Sequence, residues 1–271
     1  MLIIDGSYGE GGGQILRTAV SMSVLTGEAV EVTNIRSNRP EPGLKRQHLT
    51  CVQAAADLCS ASVSGLEVGS RTVSFTPSAM KPGGYSFDVG TAGSVTLVFQ
   101  TLLLPALCSN MPLELSVAGG TDVPWSPPAD YLRHVLIPML EKTGYKLDAR
   151  LLRRGYYPKG GGRMEVSARP SDAHGPIGLL ERGRVLGVHG LSHASSSLRE
   201  RNVAERQGKA ARKALFDRLS GLKIDCAPDI DVEYCDTLSL GSGVMLWAVC
   251  ENSVIGAGSI GSRNRKAEDV G

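Results

Sequence analysis

Aromatic residues make up only 5% of this 271-residue chain, and its four phenylalanines are scattered. That scarcity argues against a base-stacking RNA-recognition sheet. An excess of one charge is also missing: 29 basic against 27 acidic residues leave a net charge of +2. Any nucleic-acid contact must therefore come from local arginine clusters rather than a global basic field. Six cysteines stand singly at 51, 59, 108, 226, 235 and 250, with no Cys-x-x-Cys pair. They read as small buried hydrophobes in a reducing compartment, not as zinc ligands. The longest apolar run, around Val95 to Leu107, is too short to span a bilayer and contains Gln100 and Pro105. The start reads as no secretory leader, because Asp5 interrupts it and Arg17 follows inside the first helical run. A cytoplasmic chain is expected. With 42% hydrophobic residues, it has room for one large or two smaller domains.

Glycine is abundant, and it is densest at Asp5-Gly6-Ser7-Tyr8-Gly9-Glu10-Gly11-Gly12-Gly13-Gln14-Ile15-Leu16-Arg17. This stretch follows the apolar Leu2-Ile3-Ile4 and opens a helical run from Ile15 to Leu25. A glycine-dense strand-to-helix turn lets backbone approach a ligand and aims helix N–H groups at an anion. No Gly-Lys-Ser/Thr follows, so it is not a Walker A loop, and its glycine spacing does not fit a dinucleotide fingerprint. The turn alone leaves two readings open: a phosphate site with a metal, or a tight turn that only permits helix-on-sheet packing.

Residues 1–36 and 84–119 read as the same unit. Each has a strand, a turn, a helix (14–25 and 95–107) and a second strand (Ala29 to Ile35 and Leu113 to Val117). Aligned without a gap, Asp5 meets Asp88, Arg17 meets Gln100 and Val32 meets Leu115. Each copy continues with a proline-bearing loop, a helix (44–59 and 129–143) and a strand pair (61–68 with 71–76, and 146–152 with 162–168). The expected class is α/β, built from repeated β-α-β-α-β-β units. Residues 177–252 read as a small inserted α/β domain: a strand at 184–191, a serine-rich loop at 192–197, a charged helix at 202–219, and strands at 229–235 and 243–250. Ser253 to Gly261 reads as a unit restarting. The expected organisation is a repeat-built domain over 1–176 and 253–271, with two units complete and a third only begun. A C-terminal segment completing the third unit is expected to be missing.

Candidate chemistry concentrates in the loop Arg36 to His48. Arg36, Arg39, Lys45 and Arg46 near a helix start would grip a polyphosphate or an RNA end, or form a solvated loop. His48 could contact a phosphate or move a proton, although a structural histidine is the plainer reading. Gln100 stands in an apolar helix face where a buried amide needs a partner, either backbone or ligand. Pro127-Pro128 is either turn chemistry or a flat wall for a nucleobase. Gly160-Gly161-Gly162 reads as a hairpin or surface loop rather than a second phosphate cradle, and the arginines at 199, 201 and 206 as solvated rather than functional. His134, His174, His189 and His193 lack metal-ligand spacing and are assigned no chemistry.

Five motifs in order then give the chain a resemblance to the RNA 3′-terminal phosphate cyclase family. They are Gly9 to Arg17; Pro42-Gly43-Leu44 with Arg46-Gln47-His48-Leu49-Thr50; Ala92-Gly93-Ser94 with Gln100-Thr101; Gly119 to Asp122 with Pro127-Pro128-Ala129-Asp130; and Gly155 to Pro158 with Gly160-Gly161-Gly162. The resemblance runs from Asp5 to Gly271. It implies three repeat units with a small inserted domain, ATP and a divalent metal (Mg or Mn) as cofactors, RNA 3′ ends as partner, and no membrane. The implied reaction passes AMP from ATP to an enzyme histidine and then to an RNA 3′-phosphate. The 2′-hydroxyl next displaces AMP, giving a 2′,3′-cyclic phosphate. Glu10 resembles the metal-contacting carboxylate. Arg17, Arg39, Arg46, Gln47 and His48 resemble the phosphate- and RNA-end-contacting set. Gln100 and one proline of Pro127-Pro128 resemble ATP-binding residues, beside the Gly11-Gly12-Gly13 cradle. The family's adenylated histidine matches none of the five here and is expected beyond Gly271, so these 271 residues are expected not to self-adenylate. The competing readings are a non-catalytic RNA-binding or ribosome-biogenesis factor and an enolpyruvate-type transferase. The filled set of phosphate-contacting positions favours the cyclase.

Overall fold

The computed structural model describes residues 1–109, 111–171 and 175–271. Two four-stranded mixed sheets repeat one topology. The first unit holds β1 (Leu2–Asp5), α1 (Gln14–Thr26), β2 (Val30–Thr33), α2 (Arg46–Cys59), β3 (Ser62–Ser64) and β4 (Val73–Thr76). The second holds β5 (Gly83–Asp88), α3 (Val95–Cys108), β6 (Leu113–Gly119), α4 (Ala129–Tyr131), a π turn (Leu132–Leu136), α5 (Ile137–Glu141), β7 (Lys146–Arg153) and β8 (Gly162–Arg169). The sheet orders are β1-β2-β4-β3 and β5-β6-β8-β7, so corresponding strands hold corresponding places.

The gapless alignment holds for the first strand of each unit but not for the second. Asp5 and Asp88 end β1 and β5 at an offset of 83 (88 against 5), yet Asp5 pairs with Thr33 and Asp88 with Ala118, an offset of 85 (118 against 33). Val32 therefore corresponds to Val117, and the second copy carries two extra residues between its first two strands.

Helix α1 forms because Leu16, Ala19, Val20 and Val24 recur at helical spacing and bury one face. It ends at Gly27, whose left-handed φ of 75° lets its N–H reach Ser23 O. Helices α1, α2 and α3 pack together, and one apolar cluster from Leu16 to Ala168 runs through both units. Helix α2 of the first unit also lies on β5 and α3 of the second. Burial pushes the Cys51 thiol in this seam up to about 11, which makes it inert. Cys51, Cys59 and Cys250 are buried as expected, whereas Cys108 is exposed and Cys226 and Cys235 are half-exposed.

The remaining elements form a third sheet, ordered β10-β9-β11-β12. They are β9 (Val185–Ser195), a 3-10 turn (Ser196–Arg201), α6 (Val203–Gly221), β10 (Asp229–Cys235), β11 (Ser242–Cys250), β12 (Val254–Ile260) and α7 (Ala267–Val270). Two expectations change here. The serine-rich segment is largely strand: Ser192 Oγ donates to Ala204 O at 2.7 Å and Ser195 Oγ donates to Ser239 O at 3.1 Å, so both hydroxyls are satisfied internally. The boundary at 252/253 moves as well. β12 runs antiparallel to β11 from Val254↔Val249 to Ile260↔Gly243, and α7 packs on α6. Residues 254–270 thus belong with the third sheet. The sheet meets the second unit where Val135 touches Met245 and Val254. Among the described residues no helix is long and apolar enough to cross a membrane.

Candidate phosphate-binding site

The first glycine turn is an open cradle. Asp5 anchors its start by accepting from Ser7 N at 2.9 Å and from Asn34 Nδ2 at 3.1 Å. Gly9 and Gly11 take left-handed φ values of 61° and 59°. Gly13 is the N-cap of α1, and no side chain caps the helix start by a hydrogen bond. The first-turn N–H groups of a helix have no partner within the helix, so an uncapped start is suited to an anion.

The loop from Arg36 to Gly43 lies against this turn. Asn38 donates to Ser7 O at 3.1 Å, and Arg39 forms an ion pair with Glu10. A Cβ on Gly12 would stand 3.4 Å from Arg39 Nη2. Arg36 is occupied elsewhere, donating to Glu41 O at 2.7 Å and Gly43 O at 2.9 Å, and so shapes the loop. Lys45 pairs with Glu41.

His48 and Arg17 converge on Gly13. A Cβ there would overlap the His48 Nε2 edge and stand 3.1 Å from Arg17 Nη1. His48 is buried, and its Nδ1 accepts from Lys45 N at 3.2 Å. That bond leaves Nε2 as the N–H tautomer facing the cradle. Burial, and then Arg36, Arg17 and Lys45, push its pKa down to about 3, so it is neutral at physiological pH. Arg17 is buried too, and its Nε donates to Gln100 Oε1 at 3.2 Å. Gln100 differs from expectation: it is exposed on α3, and its partner is the first unit's cation.

Gln47 and Arg46 reach the second turn. Ser94 N donates to Gln47 Oε1 at 2.8 Å, and a Cβ on Gly90 would lie 3.8 Å from Arg46 Nη1. The second turn is closed where the first is open. Ser94 caps α3 by accepting from Leu97 N at 3.3 Å, and Val95 N donates to Gly120 O at 2.9 Å. Thr96 Oγ1 donates to Pro127 O at 2.7 Å, which ties the Pro127-Pro128 loop to α3. Pro127 is exposed and Pro128 half-buried, with Pro128 Cγ 3.1 Å from where a Cβ on Gly258 would stand.

A separate buried network lies behind that loop, and the sequence reading missed it. Arg154 Nη1 lies 3.2 Å from Asp122 Oδ2, and its Nη2 lies 2.8 Å from Asp130 Oδ2 and 3.2 Å from Glu233 Oε2. Tyr156 Oη and His193 Nδ1 are 2.7 Å apart, and His193 Nε2 is 3.5 Å from Asp122 Oδ1. Burial opposes the Arg154 charge, but Asp122, Asp130 and Glu233 outweigh it and hold the guanidinium ionised. Burial drives His193 well below its usual value. Ligand atoms of Asp122, Asp130 and His193 lie within 4.8 Å of one another. A divalent ion fits them poorly, because Arg154 already balances this charge and a further cation would be buried against it. No sequence spacing announces the network, since its members come from four separate segments.

Glu10 suits a hard cation better. It is an exposed oxygen donor at the mouth of the cradle, and magnesium sites commonly use one or two carboxylates with waters and substrate phosphates. His174 lies outside the described residues.

The fold and the cradle define an α/β protein of duplicated units with a glycine-lined, arginine-backed cradle suited to an anion. A family model described as RNA 3′-terminal phosphate cyclase matches residues 8–263. Proteins named RNA 3′-terminal phosphate cyclase are similar along the chain. That of Hyperthermus butylicus is 48% identical over 277 residues, covering 100% of this chain and 76% of its own. That of Ignicoccus hospitalis is 49% identical, again covering 100% and 76%. That of Archaeoglobus fulgidus is 45% identical, covering 100% and 78%. The chain belongs to the RNA 3′-terminal phosphate cyclase family.

Proposed function

We propose that the cradle binds the terminal phosphate of an RNA 3′ end, or a phosphate of ATP, during ATP-dependent cyclisation. The convergence of Arg17 and neutral His48 on Gly13, under the uncapped start of α1, carries this reading. In the reaction the histidine nitrogen attacks the α-phosphorus of ATP and diphosphate leaves. A 3′-phosphate oxygen then takes the AMP. The adjacent 2′-oxygen finally attacks the 3′-phosphorus, losing its proton and releasing AMP. Arg17 and Arg39 counter phosphate charge, His48 donates Nε2–H, and Gln47 fixes α2 against the second turn. Gln100 and the Pro127-Pro128 wall serve the nucleotide. A divalent metal held by Glu10 would supply further charge neutralisation at the phosphates.

One observation favours a binding-only role for the described residues. His48 is buried and neutral, His193 is buried against Tyr156, and His134 and His189 both stack on Trp247. None of these four suits an adenylated nucleophile. We further infer that the third sheet with α6 and α7 is an inserted domain on the repeat-built body. The test is incubation with labelled ATP and magnesium, with and without RNA bearing a 3′-phosphate. Phosphate-dependent RNA binding without an acid-labile protein–AMP adduct is expected. Absence of RNA binding would contradict the reading of the cradle.

A further inference from the structure

The chain has two tryptophans, and their surroundings are opposite. Trp247 stacks on His134, with ring centroids 4.2 Å apart and planes 5° from parallel. Trp125 is 99% exposed, and its backbone is left-handed at φ 66°. Both features are unfavourable. An indole in water forgoes one of the largest burial gains a side chain offers, and left-handed backbone strains a non-glycine residue.

A loose loop would relax into a better conformer, but this one is anchored on both sides of Trp125. Thr121 N donates to Gly155 O at 2.9 Å, and Ala129 N donates to Thr121 O at 2.9 Å. Ser126 Oγ donates to Val123 O at 3.0 Å, and Thr96 Oγ1 holds Pro127 O at 2.7 Å. Asp122 and Asp130 flank the loop, and both pair with Arg154. A rigid frame therefore holds a bare indole outward, and the fold gains nothing from it. The frame is also linked to the cradle: Thr96 shares a hydrogen bond with Ser94, whose N–H is held by Gln47 beside His48.

We propose that Trp125 is an open stacking platform for a nucleobase of the RNA strand whose 3′-phosphate occupies the cradle, an inference that rests on the RNA-end reading above. A small nucleotide binds in a concave pocket that covers most of its surface. A ring with no walls suits a strand instead, because stacking on an exposed aromatic accepts any base. The platform adds affinity without sequence preference.

The test uses the 271-residue chain with Trp247→Phe, which leaves Trp125 as the single tryptophan. A short single-stranded oligoribonucleotide with a 3′-phosphate should quench its emission, and ATP alone should not. By fluorescence anisotropy, Trp125→Ala should weaken oligonucleotide binding roughly 5- to 100-fold with an unchanged circular dichroism spectrum. Trp125→Phe should recover most of the affinity. Equal binding by Trp125→Ala and wild type overturns the platform and leaves the cradle reading standing. Quenching by ATP but not by RNA assigns the ring to the nucleotide, and quenching that follows self-association assigns it to a second copy; either overturns the proposal. If the wild type binds no such RNA, the cradle reading fails and the platform fails with it.

Discussion

Arg17 and Gln100 stand 83 residues apart and are hydrogen-bonded to each other, Nε to Oε1 at 3.2 Å. The gapless alignment of the two copies matches them, and each lies near the start of the helix that follows its glycine turn, Arg17 fourth in α1 and Gln100 sixth in α3. Duplication thus supplies both halves of one contact. The copies divide it asymmetrically: the first keeps the cation and an uncapped helix, while the second keeps an amide and a serine-capped one. The uncapped helix start and the buried charge sit together on the first turn, which is why the proposed anion site is placed there.

Gly13→Ala tests that site at the level of a single methyl group. Gly13 has φ −75°, so alanine brings no backbone strain. The added carbon would strike the His48 ring and crowd Arg17. The expected result is at least a tenfold weaker affinity for 3′-phosphorylated RNA by anisotropy, about 1.4 kcal/mol, with a near-native thermal transition.

Glu10→Ala separates the metal from the phosphate. The side chain is exposed, so the fold should keep its stability. Arg39, freed from its ion pair, should hold phosphate as well as before without metal, while the gain on adding magnesium should vanish. A full magnesium response in a calorimetric titration of the variant contradicts the role given to Glu10.

The neutral His48 predicts a pH dependence. Its pKa falls from an ordinary value near 6.5 to about 3 on folding, through burial first and then Arg36, Arg17 and Lys45. The unfolded chain binds the proton more readily between those values, so stability rises with pH across that window and is lost as pH falls below about 6.5. The histidine should cost on the order of 2 kcal/mol between pH 7 and pH 5. His193, also shifted down, acts in the same direction. Denaturant unfolding at the two pH values should show this loss, and His48→Gln should remove only its own share.

Arg154→Met should be the most destabilising single change in the second unit. It leaves Asp122 and Asp130 buried without their cation, a penalty of roughly 3–5 kcal/mol. Adding Asp122→Asn and Asp130→Asn should recover much of it, because no buried charge then lacks a partner. Urea unfolding of the single and triple variants measures both. Equal stability of the two contradicts the ion-pair account.

What the sequence made legible follows from the range of the interactions. The glycine turn and the apolar period of α1 are local patterns, and the structure keeps them; the alignment of Arg17 with Gln100 points to two residues that the fold brings into contact. The two extra residues between β5 and β6 were hidden because both second strands are apolar. Gly256 and Gly258 resemble a turn, yet they lie inside β12. They are small because Val135 and Pro128 approach that strand: a Cβ on Gly256 would stand 2.6 Å from Val135 Cγ2, and one on Gly258 3.1 Å from Pro128 Cγ. The Arg154 network was unreadable because its partners come from positions 122, 130, 193 and 233.

The most direct test of the cradle compares one oligoribonucleotide carrying a 3′-phosphate with the same strand ending in a 3′-hydroxyl. Binding of each to wild type and to Arg17→Lys is measured by anisotropy at fixed salt. Arg17 is a buried fork bonded to Gln100 that, on the proposed reading, also holds the phosphate, and lysine cannot reproduce that geometry. The account predicts at least tenfold tighter binding of the phosphorylated strand by the wild type, and a much smaller difference in the variant. Equal affinity of the wild type for both strands would contradict it.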